Sequence, residues 1–250
     1  MVERTVVPRI SLRAQSIPAS PIRGLVPHAE AAKARGIRVI HLNIGQPDLP
    51  PPPGVPAALA AAATQRPTYT PSRGIAELVA AWSRYYQRVG LSVTPEQVVV
   101  TGGASEALSL AVLATTDPGD RILVPEPFYA PYQGILTAAG VELVPVPSPD
   151  GYGPVSPDAV RERISPRVRG ILVCSPSNPT GVIYDRSQFE ALAVLASTAF
   201  SFTATKRIAR SCSAAAARRA PSRCRGWTVR RSSSTVSPSA SMRAVSVSVR

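Results

Sequence analysis

Residues 171–181, with the sequence Ile-Leu-Val-Cys-Ser-Pro-Ser-Asn-Pro-Thr-Gly, decide how the rest of the chain is interpreted. The four leading apolar residues are typical of the end of a buried strand. Pro176 and Pro179 lack a backbone donor and fix φ, and Gly181 permits positive φ, so the strand must end in a stiff turn. That turn holds the amide of Asn178 at the carboxyl end of the strand, where open α/β sheets bind ligands. Taken alone, the stretch also fits a plain turn.

Composition and charge separate the last fifth of the chain from the rest. Residues 201–250 hold ten arginines, Lys206 and no acid, which accounts for +11 of the total charge of +13, so residues 1–200 carry only +2. No apolar run has the length of a membrane span, no secretory signal opens the chain, and the three cysteines form neither a metal-binding spacing nor a paired framework. These features predict a cytoplasmic chain without a membrane segment or a metal site.

Short strands and helices alternate along most of the chain. This alternation predicts an α/β fold of three layers, with helices on both faces of a mostly parallel sheet. Residues 201–250 lack periodicity and are predicted to be irregular. Helices are predicted at 28–35, 55–63, 104–115, 131–139 and 186–196, and two more are predicted to follow Ile75 and Ser156. Strands are predicted at 37–42, 97–101, 121–124, 141–146 and 169–174.

Two further strand ends carry residues suited to a flat, phosphorylated ligand. Gly103, Ala104 and Ser105 open a helix behind a strand and a glycine turn, where free N–H groups and the helix dipole can hold a phosphate. Tyr129 follows the next strand and can stack on a planar ring. Each motif also has an ordinary explanation, as a tight turn before a helix or as core packing. Together with Asn178 they would surround one phosphorylated heteroaromatic.

The series N-I-G-Q-P-D, T-Y-T-P-S-R-G-I, V-T-G-G-A-S-E-A-L, D-P-G-D, P-x-P-F-Y and S-P-S-N-P-T-G resembles the class I/II aminotransferases of the pyridoxal-phosphate fold-type-I superfamily, in order and spacing. The resemblance runs from about Ser20 to Ala196. It implies transfer of an amino group between an amino acid and a 2-oxo acid through pyridoxal 5′-phosphate. It also implies an N-terminal arm with part of a small domain (1–45), an incomplete cofactor-binding major domain (46–200) and a basic tail (201–250). The particular amino acid is beyond the sequence.

The resemblance also assigns roles to individual residues. Gly103, Ala104 and Ser105 would bind the cofactor phosphate. Tyr129 would stack on the pyridine ring, and Asn178 would donate a hydrogen bond to its phenolic oxygen. Gly45 would lie by the substrate carboxylate. Tyr69 would reach the phosphate bound to the partner subunit, which implies a homodimer. These are the family's positions, transferred by motif.

The residues that carry the family's chemistry are absent from this reading frame. The family needs a Schiff-base lysine, an aspartate on the pyridine nitrogen and an arginine near the phosphate. The chain has two lysines, Lys33 and Lys206, and neither matches the lysine motif, so no catalytic residue is assigned and the chain is expected to be inactive.

A shifted reading frame accounts for the missing motifs. Read from the third base of each codon, permitted codons for 204–210 can encode D-E-A-Y-R-E, and those for 231–248 can encode a segment containing S-V-S-K-R with an arginine eight residues after the lysine. We therefore expect that bases were gained or lost near codons 197–200. The alternatives are a genuine basic tail that binds nucleic acid non-specifically, which its lack of interleaved aromatic residues does not favour, or a non-catalytic dimerisation partner.

Overall fold

A computed structural model describes residues 9–45, 49–88, 90–199, 201–206 and 245–247. Short 3₁₀ turns lie at Arg23–Leu25 and Pro95–Gln97. The helices are α1 (Leu12–Ser16), α2 (Val26–Ala34), α3 (Gly54–Ala63), α4 (Ala76–Arg88), α5 (Ala104–Thr115), α6 (Pro131–Ala138), α7 (Pro157–Arg161) and α8 (Arg186–Ala199). The strands are β1 (Arg121–Glu126), β2 (Glu142–Pro147), β3 (Val168–Ser175), β4 (Ser201–Lys206) and β5 (Val245–Val247).

The strands form one five-stranded sheet in the order β2-β1-β3-β4-β5, and every pairing is parallel. The crossovers β1 to β2 and β2 to β3 each contain a helix, as parallel neighbours require. All the strands therefore end at the same edge of the sheet. In the register, Glu126 lies opposite Pro147, and Ser175 lies opposite Lys206. The loops that follow β1 and β3 are neighbours at that edge, which we call the carboxyl edge.

Helices α5 and α6 cover one face of the sheet. Alternate strand residues point to this face because the side-chain period of a strand is two. Ile122 and Val124 of β1 and Leu172 of β3 pack against apolar residues of the two helices. The helical members of this cluster are Leu108, Val112, Tyr132 and Leu136.

Helices α7 and α8 cover the opposite face. Leu123 of β1 and the pair Ile171 and Val173 of β3 are fully or almost fully buried there, with Val160 of α7 and Leu192 of α8. Successive residues of β1 and β3 thus alternate between two hydrophobic cores, one on each face of the sheet. The sequence-based prediction of three layers around a mostly parallel sheet is confirmed.

The Asp117–Asp120 turn leads into β1 at the amino edge of the sheet. The carboxylate of Asp120 accepts hydrogen bonds from the backbone N–H of Asp117 at 2.9 Å and from Nε of Arg169 at 3.1 Å. Asp120 is only 4% exposed. The Asp117 hydrogen bond, followed by Arg169, holds the pKa of the Asp120 carboxyl below its ordinary value, although burial alone would raise it. The family-like D-P-G-D motif is therefore a structural turn that is exposed at 117–119 and anchored by the buried Asp120.

Three predictions of secondary structure are wrong. Residues 37–42 form no strand, because the N–H of Ile37 bonds back to Ala32 of the preceding helix and the segment stays mostly exposed. Residues 97–101 form no strand either, since this extended segment meets a turn, with Val100 N–H bonded to the carbonyl of Arg73. The predicted irregular tail contains β4 and β5 among its described residues.

The buried face of α4 agrees in part with the sequence, in which Ile75, Leu78, Val79, Trp82 and Tyr85 or Tyr86 fall at helical spacing and predict one buried face. Val79 and Tyr86 are buried as predicted, whereas Ile75 and Leu78 are exposed. The third buried position of α4 is Ser83. Ser83 is buried because its hydroxyl donates to the carbonyl of Val93 at 2.7 Å. This hydrogen bond holds the side of α4 that carries Ser83 against the segment around Val93.

Helices α1, α2 and α3 contain no buried residue. No described helix is long and apolar enough to cross a membrane.

Candidate functional site at the carboxyl edge

A pocket opens between the ends of β1 and β3 at the carboxyl edge. Its inner wall includes Leu172 and Tyr132, and its outer wall includes Phe128, Asn178 and Tyr152. The enclosed space is only about 20 Å³, room for roughly one water molecule. The pocket lining therefore combines the amide of Asn178 with several aromatic rings. Because the enclosed space is much smaller than an aromatic ring, a heteroaromatic ligand would have to lie at the entrance of the pocket.

The loop after β3 holds Asn178 in this pocket. The N–H of Ser177 donates to the carbonyl of Val182, and the N–H of Gly181 donates to the carbonyl of Ser177, both at 2.8 Å. Gly181 has φ of 74°, a conformation that a residue with a Cβ rarely adopts. These contacts confirm the stiff turn expected from the two prolines and the glycine.

Tyr184 ties this loop to the core. Its backbone N–H donates to Oγ of Ser175 at 3.1 Å, and its hydroxyl oxygen accepts from the N–H of Val155 at 3.2 Å. The ring is buried, with 6% exposure, and burial raises the pKa of the Tyr184 phenol. One side chain therefore joins the loop after β3 to the loop before α7.

The aromatic pair after β1 divides between pocket and core. Phe128 lines the pocket, whereas Tyr129 does not and is half-buried against the α5–α6 face. The Tyr129 ring lies edge-on to Tyr132, with centroids 5.4 Å apart, and Tyr132 does line the pocket. The structure therefore places the predicted stacking residue one ring away from the pocket lining.

Gly103, Ala104 and Ser105, which the sequence predicts to hold a phosphate, lie at the N-terminus of α5. Gly103 is its N-cap with φ of 153°, and no side chain caps this helix end. Gly103 and Ser105 are exposed and Ala104 is half-buried. The carboxylate of Glu106 accepts a hydrogen bond from the N–H of Gly102 beside this site. None of these residues lines the pocket, so the candidate phosphate cradle lies outside the pocket lining.

Tyr69 and Gly45 lie on the surface. Tyr69 is fully exposed, on a turn fixed at its far end by Arg73. The Arg73 guanidinium donates to the carbonyls of Pro95 at 2.7 Å and Val98 at 3.1 Å. Gly45 is exposed, and the remainder of its motif, 46–48, lies outside the described residues.

The family model named "Aminotransferase class I and II" matches residues 37–201. The chain belongs to the class I and II aminotransferases. A curated aspartate/prephenate aminotransferase of Thermus thermophilus is 37% identical over 192 residues, and a probable N-succinyldiaminopimelate aminotransferase of Mycobacterium tuberculosis is 38% identical over 171 residues.

Solved aminotransferases share this fold. A Thermus thermophilus aspartate aminotransferase matches with a TM-score of 0.74 and 35% identity over 80% of this chain, and a Pyrococcus furiosus alanine aminotransferase matches with a TM-score of 0.72 and 34% identity over 79%. The match covers 75% of this chain but 49% of the first of the curated relatives, and 53% and 52% of the two solved chains. This aminotransferase-family chain thus spans about half the length of these relatives.

The two lysines of this aminotransferase-family chain occupy different places. Lys33 lies on α2, exposed and paired with Glu30 at 2.8 Å. Lys206 ends β4 in register with Ser175, at the carboxyl edge. Among the residues that the structure describes, no group of three or more potential metal ligands was found.

Sequence reasoning missed several residues of the site. Cys174, Tyr152 and Gly153 line the pocket, and Tyr184 both lines it and fixes its loops. The Asp-Gly-Tyr-Gly run at 150–153 is a recognisable turn signal, but nothing in the sequence indicates that this turn meets the loop after β3.

Proposed function

We propose that this chain is the cofactor-binding part of a pyridoxal-phosphate-dependent aminotransferase. The observation that carries the proposal is the position of Asn178, an amide held in a pocket between the ends of β1 and β3 and faced by aromatic rings. Class I and II aminotransferases generally use pyridoxal phosphate. A flat heteroaromatic with a phenolic oxygen and a phosphate matches this set of groups.

The residues present fit that cofactor in kind. The N–H groups at the start of α5, with Gly103, Ala104 and Ser105, suit its phosphate. The Asn178 amide suits its phenolic oxygen, and Tyr129 lies against Tyr132, within one ring of the pocket. Full stacking requires the Tyr129 ring to turn towards the pocket mouth. When bound, the cofactor supplies the electron sink for exchange of an amino group.

Amino acid and 2-oxo acid are the proposed substrates. In this proposal Gly45 lies beside the substrate carboxylate, and Tyr69 reaches the phosphate site of a second copy of the chain. The full exposure of Tyr69 supports such a role, because the exposed ring is accessible to a second subunit. We place this homodimer in the cytoplasm, where a free thiol such as Cys174 stays reduced.

The chain as written is proposed to bind the cofactor without transaminating. Lys33 is held on an outer helix by Glu30, and Lys206 stands in a segment that does not match the family's lysine motif. The family match ends at residue 201, close to where the sequence loses its strand and helix pattern. This coincidence supports a reading-frame shift near codons 197–200 as the origin of residues 201–250.

The test is direct binding of pyridoxamine 5′-phosphate, which cannot form a Schiff base with lysine and therefore reports on the pocket alone. Isothermal titration is expected to show binding to the full chain. Asn178→Ala should weaken it by about fivefold, the worth of roughly one hydrogen bond. Glu190→Ala, an exposed position on α8, is the matched control and should bind like the wild type. No binding by the wild-type chain would refute the proposal.

A further inference from the structure

The segment 148–155, between β2 and α7, forms part of the pocket wall. We call it the Asp150 loop. Tyr152 and Gly153 line the same pocket as Asn178, although the three come from two different loops. Tyr152 is 65% exposed, so its position depends on the backbone of the loop and not on burial in the core.

One carboxylate oxygen organises this loop. Oδ1 of Asp150 accepts hydrogen bonds from Oγ of Ser148 at 2.5 Å, from the N–H of Gly153 at 2.5 Å and from the N–H of Tyr152 at 3.2 Å. The N–H of Gly151 also donates to the carbonyl of Ser148 at 3.1 Å. The Ser148 bond, followed by those of Gly153 and Tyr152, lowers the pKa of the Asp150 carboxyl. The donors include the backbone N–H groups of both wall residues.

The far end of the loop is attached to the loop that carries Asn178. Val155 donates its N–H to the hydroxyl of Tyr184, and Tyr184 donates its own N–H to Ser175, the last residue of β3. The wall containing Tyr152 and the wall containing Asn178 therefore share one buried anchor. The Asp150 loop is thereby connected to the end of β3 through Tyr184.

Gly153 has no space for a larger residue next to this carboxylate. A Cβ at Gly153 would lie 2.7 Å from Oδ1 of Asp150 and 2.9 Å from its carboxyl carbon. The Asp150 side chain would have to move and lose its hydrogen bonds. Substitution at Gly153 is thus a second route to the same disruption, with Asp150 itself unchanged.

We propose that Asp150 is a positioning residue, whose carboxylate holds Tyr152 and Gly153 in the lining of the pocket that also contains Asn178, and that the affinity for a flat phosphorylated pyridine depends on it. The proposal rests on the proposed function, because that function supplies the ligand. Tyr152 supplies a ring at the mouth of the pocket, where a ligand too large for the enclosed space has to lie.

The decisive requirement is an acceptor oxygen, not a negative charge. Asparagine keeps an oxygen that can accept from the same turn, whereas alanine has none. Asp150→Ala and Gly153→Ala are therefore expected to weaken binding of pyridoxamine 5′-phosphate by about fivefold, and Asp150→Asn by no more than about twofold. A general effect of removing surface charge would affect asparagine and alanine alike.

The experiment is isothermal titration of the full-length chain with pyridoxamine 5′-phosphate for these variants and for Tyr152→Ala. Tyr152→Ala keeps its backbone N–H and the Asp150 contacts, and it should weaken binding while the thermal transition stays unchanged. Glu162→Ala, an acid whose side chain is 75% exposed directly after α7, is the control and should bind like the wild type.

Equal affinities of the wild type and Asp150→Ala, or of Asp150→Ala and Asp150→Asn, would overturn the role of Asp150. Wild-type affinity in Tyr152→Ala would overturn the wall itself. If the wild-type chain does not bind pyridoxamine 5′-phosphate, both the proposed cofactor site and the role of Asp150 are refuted. If the wild type binds and the variants bind equally well, only the role of Asp150 is refuted.

Discussion

Replacement of Asp120 by alanine is expected to destabilise the fold strongly, although the residue lies at the edge opposite the proposed site. Asp120 is 4% exposed, and its carboxylate accepts from the backbone N–H of Asp117 and from Arg169. Alanine leaves the Asp117 N–H without its acceptor in a partly buried turn. The turn also fixes the start of β1, since the carbonyl of Asp120 accepts from the N–H of Glu142 at 2.9 Å.

The magnitude follows from these two contacts. A hydrogen bond from a backbone N–H to a charged carboxylate contributes about 1.5–3 kcal/mol to the free energy of unfolding. The ion pair adds no more than about 1 kcal/mol, because the Arg169 side chain is 50% exposed and screened by water. The total is roughly 1.5–4 kcal/mol, which corresponds to a melting temperature lower by about 3–16 °C for a chain of this size.

Thermal unfolding followed by circular dichroism near neutral pH measures the loss. Arg169→Gln is the matched control, because it removes the exposed ion pair and keeps the Asp117 bond, and its expected cost is no more than about 1 kcal/mol. An Asp120→Ala variant as stable as Arg169→Gln would refute the reasoning that the backbone hydrogen bond dominates.

The pH dependence of the Asp120 contribution has a defined sign. The pKa of the folded-state Asp120 carboxyl lies below its unfolded value, so the folded state binds fewer protons. The stabilisation is present above the unfolded pKa of about 3.9 and is lost as pH falls through the lower folded pKa. The difference between wild type and Asp120→Ala should shrink in acid. A constant difference down to the acid transition would contradict this assignment.

Three further predictions concern the site and the tail. Gly103→Ala should cost about 1–3 kcal/mol because φ of 153° is accessible almost only to glycine; an unchanged melting temperature would contradict the strained N-cap. Borohydride treatment with pyridoxal phosphate should leave no lysine selectively labelled, and mass spectrometry that finds Lys206 labelled together with turnover would overturn the expected inactivity. The nucleotide sequence from codon 190 onward should open, after a one- or two-base correction, into D-E-A-Y-R-E and S-V-S-K-R; bases that cannot encode them would make the basic tail genuine.

Local chemistry explains which elements were predictable. The helix predicted at 186–196 is confirmed, and Asp185 and Gln188 form the capping box that their spacing in the sequence indicates. The N–H of Asp185 donates to Gln188 at 2.8 Å, and the N–H of Gln188 donates to Asp185 at 2.9 Å. Ser156 likewise caps α7 as predicted, by accepting from the N–H of Ala159. These signals involve residues three positions apart, so the sequence alone contains both partners.

The failed predictions depended on distant partners. Residues 98–101 are all β-branched, yet Val100 bonds to the turn at Arg73 and not to a strand. Residues 201–206 have no periodic pattern, yet they pair with β3 from Gly170 to Ser175, because the edge of β3 has backbone groups to satisfy. The sequence of one segment does not specify which strand or turn its backbone groups will bond to in the folded chain.

The sequence by itself determined the three-layer fold, the stiff loop that carries Asn178 and the membership of the aminotransferase family, because each depends on local turn chemistry or on a series of motifs. Only the tertiary structure decided that Phe128 and not Tyr129 lines the pocket, that Gly103, Ala104 and Ser105 lie outside its lining, and that the Asp150 loop contributes to that lining. The physical reason is the parallel sheet: it brings the ends of β1 and β3 to one edge, and the hydroxyl of Tyr184 then joins loops 29 residues apart in sequence.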